Sequence, residues 1–350
     1  MKLFLSNLKS QVKKKNGIIK WSSPSNIALV KYWGKKSYQL PANPSLSFSL
    51  EKCLTQTTIE FDYSQDRQKL EFILKDSEIK QDQKLTHYLN KITELNPFFH
   101  RLKIVMKTEN TFPHSAGVAS SASAFSALAL CLLEMELELL GESRDVDFMK
   151  RVSSLARLGS GSAARSVYGS FALWGECGVA NSNDSYAIPV TGIHQDFKNI
   201  HNLICIVDSQ KKSVSSSEGH ALMDNHPKKE QRYAQARENT NKLIEVIKTG
   251  DWKKFQMIVE EESITLHQLM QTSTPSIVLM NSKSQQVIDV VKEFQKKSQH
   301  ITYTLDAGPN VHILYHPLKF EYFEELKQKL APLCQKMIED KVDKGTSVCL

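Results

Sequence analysis

The distribution of apolar and polar positions along the chain changes character several times, and each change marks an element. Residues 17–60 read as strands and turns. The stretch GIIKWSSPSNIALVKYWGKK leads into a turn around Pro41 and Pro44, and SLSFSLEKCLTQTTIEF then alternates with a period of two. RLKIVMK at 101–107 predicts another strand. A loop, NTFPHSAGVASS, runs directly into ASAFSALALCLLEMELELL, which Gly141 ends. That segment is apolar nearly all round, the pattern of a buried helix. The serine/glycine turn RLGSGSAARS at 157–166 falls between two stretches with helical spacing. The second half opens on the strand LICIVD and continues with amphipathic helices over 228–249, 251–271 and 283–297. ITYTLDAGPNVHILYH predicts two strands around a Gly-Pro turn, and a last helix is expected near 319–339. Strands and helices mix without a βαβ rhythm, so the expected class is α+β in two domains. The boundary is placed after the Asn/Ser-rich stretch NSNDS, giving halves 1–195 and 196–350.

Composition narrows the class without naming a function. The 350 residues are 41% hydrophobic and 24% charged, which is ordinary for a soluble globular protein. A net charge of +7 can steer anionic ligands, but 45 basic residues are offset by 38 acidic ones. No aromatic-studded basic patch of the nucleic-acid-binding kind is present. Six scattered cysteines without CxxC or Cys/His spacing fit reduced thiols better than a disulfide frame or a zinc site. The N-terminal MKLFLSNLKSQVKKK carries its lysines after its apolar stretch, the reverse of a signal peptide. No apolar run is long enough for a membrane span, so a cytoplasmic location is expected.

Three segments carry candidate chemistry. In PHSAGVASSAS (113–123), Gly117 and Ala119 let the backbone approach an anion, and the hydroxyls of Ser120 and Ser121 can reach it. The helix starting here aims unpaired N–H groups at the same point. An ordinary serine-capped helix is the alternative. In RLGSGSAARSVYGS (157–170), a Gly/Ser nest precedes Arg165, whose planar fork suits a carboxylate or phosphate; a flexible turn with a surface arginine is the alternative. Asp306 ends an apolar strand against Ala307-Gly308-Pro309, as a candidate base or as a simple turn initiator. A phosphate cradle, an anion clamp and a base together make the inventory of a small-molecule phosphotransferase.

The same segments carry a resemblance. SPSNIALVKYWGKK (23–36), FPHSAGVASSASAF (112–125), GSGSAARSVYGSFALW (159–174), SVSSSEGH (213–220) and TLDAGPNVHIL (304–314) occur in the order found in the GHMP kinase superfamily. Within it they resemble the mevalonate diphosphate decarboxylases most. The resemblance implies a fold of the ribosomal-protein-S5-domain-2-like type with a cleft between the halves, and a homodimer. It implies ATP with Mg²⁺, diphosphomevalonate as substrate and isopentenyl diphosphate as product. Asp306 matches the aspartate that handles the proton of the substrate's tertiary hydroxyl, Lys31 the lysine paired with it, and Arg165 the arginine on the substrate carboxylate. Asn26, Tyr32, Trp33, Gly34, Lys35, Ser160, Gly161, Ser162, Ala163, Ala164 and Ser217 match substrate-binding positions. Gly117, Ala119, Ser120 and Ser121 match the loop at the ATP phosphates.

The match has departures. His114 and Ser115 stand where many relatives have Thr and Ala, and Ala124 stands where Gly is usual. A substrate-binding arginine common in relatives is missing near Gln81 to Lys84, so the diphosphate contact either falls to Lys84 or is absent. The missing arginine leaves a phosphomevalonate decarboxylase as a neighbouring alternative, beside a mevalonate 3-kinase on the same scaffold. Retention of both Lys31 and Asp306 argues against the kinase.

Overall fold

A computed structural model describes residues 3–4, 12–75, 83–113, 118–208, 216–343 and 347–348. The first half contains β1 (Asn16–Ala28), β2 (Ser45–Tyr63), β3 (Glu71–Leu74), α1 (Gln83–Leu95), β4 (Leu102–Asn110), α2 (Ser120–Leu140), α3 (Phe148–Gly159), β5 (Phe171–Trp174) and β6 (Ala187–Pro189). The second contains α4 (Gln195–Lys198), β7 (His201–Ile206), α5 (Ser216–Ala221), α6 (Lys229–Thr249), α7 (Trp252–Gln271), α8 (Ser282–Gln295), β8 (Ile301–Thr304), β9 (Val311–Tyr315), α9 (Phe323–Leu330) and β10 (Lys336–Lys341). A short β11 (Ser347–Val348) follows.

Two sheets organise these elements. The larger has the order β11-β1-β2-β4-β3, with β5 also paired to β2 and β6 to β5. The 19-residue β2 serves both wings: Ser45 to Phe48 pair with β5, and Thr55 to Tyr63 pair with β4. The register of β1 against β2 shifts between Pro24 and Asn26. Proline cannot donate to a ladder and is tolerated at such irregularities, which also re-aim the side chains that follow. The smaller sheet, β10-β7-β9-β8, is antiparallel throughout.

The segment that is apolar all round behaves as its composition requires. α2 packs against β1, β2 and α3, and Leu128, Leu130, Leu132 and Leu137 are all buried. Burying each such side chain contributes about 1.5–3 kcal/mol, so this helix needs a partner on every side. A second apolar cluster joins the halves: Ile27, Phe48 and Leu50 of the large sheet pack with Phe197, Ile204, Leu243 and Phe255. The chain also returns across the seam. β11 pairs with β1 (Trp21 opposite Val348), and Asp340 accepts the backbone N–H groups of Lys52 and Cys53, both at 2.9 Å.

Two expectations are corrected. The helix expected near 319–339 stops at Leu330, and residues 336–341 are instead the edge strand β10, with Met337 opposite Cys205. Pro332, in a one-turn 3-10 segment, breaks the helix, and pairing to β7 decides the rest. After the turn at 157–166 no second α-helix follows. A single 3-10 turn, Gly161–Ala164, leads to β5.

Candidate active site

Between the halves lies a cleft of about 370 Å³. The run after β1 supplies Lys31, Tyr32, Trp33 and Lys35 to its wall; the start of α2 supplies Ala119 and Ser121. The turn after α3 supplies Ser160, Gly161, Ser162 and Arg165, and the turn after β8 supplies Asp306. Asn26 lines it from β1, just past the register shift.

Lys31 and Asp306, 275 positions apart in sequence, meet in an ion pair with Nζ–Oδ1 2.7 Å. Lys31 is 2% exposed and also donates from Nζ to the Ala28 carbonyl at 2.6 Å. Burial pulls the ammonium below its usual range, and the Asp306 carboxylate opposes that pull. His267 donates from Nε2 to the Asp306 carbonyl at 3.2 Å, which fixes the neutral tautomer; burial, then the Lys31 charge, brings its pKa down to about 4.

Arg165 is held from two directions. Nε donates to Ser47 Oγ at 3.0 Å, and Nη2 donates to Asn26 Oδ1 at 3.2 Å. Asn26 is itself fixed, donating to Ser166 Oγ at 2.8 Å and to the Ser162 carbonyl at 3.1 Å. Nη1 of Arg165 is buried and has no hydrogen-bond partner among the described residues. A buried guanidinium donor facing a cleft is a place for an anion, because leaving it unmatched is costly.

The serine loop and the Gly/Ser turn converge. Ser121 Oγ lies 3.2 Å from Ser160 Oγ, and Ser160 Oγ lies 3.3 Å from Ser162 Oγ. Ala119, the cap residue of α2, makes no side-chain cap bond. A 21-residue helix thus presents its N-terminus to the cleft, with Ala119 and Ser121 on the lining.

The aromatic wall depends on two glycines. Gly34 has φ +97°, and a Cβ there would strike the Tyr233 hydroxyl. Its N–H donates to His220 Nδ1 at 3.0 Å, and the His220 ring packs on both Tyr32 and Trp33. Gly161 lies so close to the Tyr32 ring that a Cβ would come within 2.7 Å of it.

The remaining expected positions fall elsewhere. Ala163 and Ala164 are fully buried in apolar clusters behind the turn, outside the cleft lining. Gly34 reaches the cleft only through its neighbours, and Ser120 sits beside the lining with its carbonyl accepting from Ser123 Oγ. Gly117 and the Ser217 side chain lie outside the described residues, as do His114, Ser115 and Gln81. Lys84 and His87, from α1, also line the cleft; burial, then the Lys84 charge, pulls the Lys35 ammonium below its usual range. Two lysines therefore line this part of the cleft, a composition suited to a polyanion.

Several residues beneath the site had no place in the sequence reading. Glu262 is fully buried, accepts the Lys31 N–H at 2.9 Å, and is paired bidentately with Arg232 at 2.8 and 2.6 Å. The signal was present: Glu262 falls on the apolar stripe Phe255, Val259, Leu266, Leu269 of α7, a position where a carboxylate needs a partner.

A phosphate-ready helix start, a buried lysine paired with a half-buried aspartate, and an unmatched arginine donor, set between the halves of this α+β scaffold, define an ATP-dependent enzyme of the GHMP kinase fold. Comparison with known proteins narrows the class. Residues 23–187 match the diphosphomevalonate decarboxylase-like N-terminal domain, and residues 202–348 match the mevalonate 5-diphosphate decarboxylase C-terminal domain. The chain belongs to the diphosphomevalonate decarboxylase family. It is 31% identical to diphosphomevalonate decarboxylase of Ganoderma lucidum, over 85% of this chain and 77% of that one. The crystal structure of the Staphylococcus aureus mevalonate diphosphate decarboxylase superposes with a TM-score of 0.80 at 28% identity, covering 96% of this chain and 98% of that one. MDDEF in complex with MVAPP, AMPPCP and magnesium gives 0.77 at 28%, covering 95% and 99%.

Proposed function

We propose the following division of labour for the family's reaction, the ATP-dependent decarboxylation of diphosphomevalonate to isopentenyl diphosphate, CO₂, ADP and phosphate. The observation that carries it is the Lys31–Asp306 pair at 2.7 Å, in one cleft with the unmatched Arg165 Nη1. Asp306 takes the proton of the substrate's tertiary hydroxyl as that oxygen attacks the γ-phosphorus and the bond to ADP breaks. Lys31 holds Asp306 in place and steadies negative charge on the attacking oxygen. Phosphorylation converts a poor leaving group into a good one. As phosphate departs with the C–O electron pair, the carboxylate leaves as CO₂ and its C–C electrons form the double bond. Arg165 orients that carboxylate, and it must not hold it so tightly that departure is opposed.

Tyr32, Trp33, Lys35 and the turn from Ser160 to Ser162 form the substrate side. Ala119, Ser120 and Ser121 form the ATP side. MDDEF holds MVAPP, AMPPCP and magnesium together, and the residues here suit the same set. Among the described residues no group of three His, Cys, Asp or Glu side chains could cage a metal. Mg²⁺ would be held with the ATP phosphates beside the Ser120 and Ser121 hydroxyls. There it would supply charge neutralisation for the transferring phosphoryl group.

Two cleft cations, Lys35 and Lys84, support the diphosphate over the monophosphate. The test measures ADP, CO₂ and isopentenyl diphosphate release with mevalonate and with its mono- and diphosphates in parallel. All three products should appear with the diphosphate. ADP without CO₂, or turnover only with the monophosphate, overturns the reading. Ser121→Ala removes a hydroxyl facing phosphate. Losing a hydrogen bond to a charged group costs about 1.5–3 kcal/mol, so the KM for ATP should rise at least roughly tenfold. Binding of diphosphomevalonate alone should be little changed. Unaltered ATP kinetics would reduce the segment to a helix start.

We infer further that the chain divides near residue 195 and that the enzyme is a cytoplasmic homodimer, as in the family it resembles. No helix among the described residues is long and apolar enough to cross a membrane. Sedimentation equilibrium should return twice the chain mass; a monomer across the concentration range overturns the dimer.

A further inference from the structure

The two reacting side chains come from opposite halves, yet one helix touches the supports of both. Three neighbouring residues of α7 do this. Glu262 accepts the backbone N–H of Lys31 at 2.9 Å. Ser263 Oγ accepts the backbone N–H of Leu305 at 2.9 Å, and His267 Nε2 donates to the Asp306 carbonyl at 3.2 Å. Arg232 of α6 completes the hold on Lys31: Nη2 donates to the Lys31 carbonyl at 3.0 Å while the guanidinium grips both oxygens of Glu262. Asn239 donates to Glu262 Oε1 at 2.8 Å. Both peptide groups of Lys31 are thus fixed by a buried ion pair, with Arg232 1% and Glu262 0% exposed.

We propose that Glu262, with Arg232 behind it, is a positioning residue, and that α7 is the common support setting Lys31 against Asp306. A buried ion pair is weak grounds for stability, since well-packed apolar residues of similar volume often serve as well. Its value here is directional. The pair fixes a backbone whose side chain reaches the chemistry, and an ångström of misplacement there is costly. None of these residues need touch a ligand. Charge adds a second handle. Lys31 is faced by Asp306 and Glu262, which favour its ammonium form, and by Arg165, Arg232 and His267.

The inference rests on the reaction assigned above, so wild-type turnover of diphosphomevalonate is the first arm. If the wild type releases no ADP and CO₂, that assignment fails and not merely this one. Given an active wild type, Glu262→Gln should lower kcat by roughly ten- to hundredfold with both KM values within about threefold. The basic limb of its pH–kcat profile should move to lower pH, because an anion favouring the Lys31 ammonium has gone. Removing one member of a buried pair can unfold a chain. The double variant R232M/E262L therefore accompanies it, with circular dichroism and a thermal melt for each. The double variant should fold and show the same loss of kcat with KM preserved. A folded double variant with wild-type kcat overturns the proposal. So does a Glu262→Gln loss that only tracks the unfolded fraction, with the basic limb unmoved.

Discussion

Asp306→Asn lowers turnover by roughly two to four orders of magnitude, the usual worth of a general base, while ATP binds as before. The amide keeps the size of the carboxylate but cannot accept the hydroxyl proton. It also removes the anion 2.7 Å from the Lys31 ammonium. Burial already pulls Lys31 down, and Asp306 is the larger of the groups opposing it. The residual activity of the variant should therefore lose its basic limb at lower pH than the wild type. Lys31 keeps its bond to the Ala28 carbonyl, so the fold around it should survive. Single-turnover ADP release and an ATP binding isotherm check both halves of the expectation. Retention of more than about a tenth of wild-type turnover removes Asp306 from the base role.

Arg165→Lys is costly for a different reason. The guanidinium reaches Ser47 through Nε and Asn26 through Nη2, which leaves Nη1 for the substrate carboxylate. A lysine carries its three donors on one compact nitrogen, which cannot reach partners placed for three separate guanidinium nitrogens. Charge alone does not decide the matter. Burial lowers the Arg165 pKa to about 10, so it stays cationic at neutral pH, as a lysine there must also be to act as a clamp. What is lost is orientation, and misplacing a reacting group by about an ångström costs around a hundredfold, here mostly in kcat. ADP and CO₂ measured separately give the sharper result. An arginine that only orients the carboxylate lets phosphorylation outlast decarboxylation, so ADP should exceed CO₂. Wild-type turnover with matched products would return Arg165 to a supporting role and rest the site on Lys31 and Lys35.

Much of this was legible in the chain because it is local. The alternation in SLSFSLEKCLTQTTIEF and the run after Ser121, apolar nearly all round, each specify their element through the faces they must bury, and β2 and α2 follow. The Gly/Ser turn before Arg165 and the Asp306 turn carry their chemistry in consecutive residues. Long-range pairing was not legible. KMIEDK at 336–341 has little of a strand's character alone and becomes one because β7 offers an unpaired edge. The placement of Lys84 on the same cleft as Lys35 needs the α1 fold, and the Arg232–Glu262 clamp needs two helices packed with their charged positions inward. Sequence alone thus determined which residues could do chemistry and which elements would carry them. Only the tertiary structure decided the meeting of Lys31 with Asp306. A distance between side chains 275 positions apart is set by packing, burial and the unmatched hydrogen bonds that packing must satisfy.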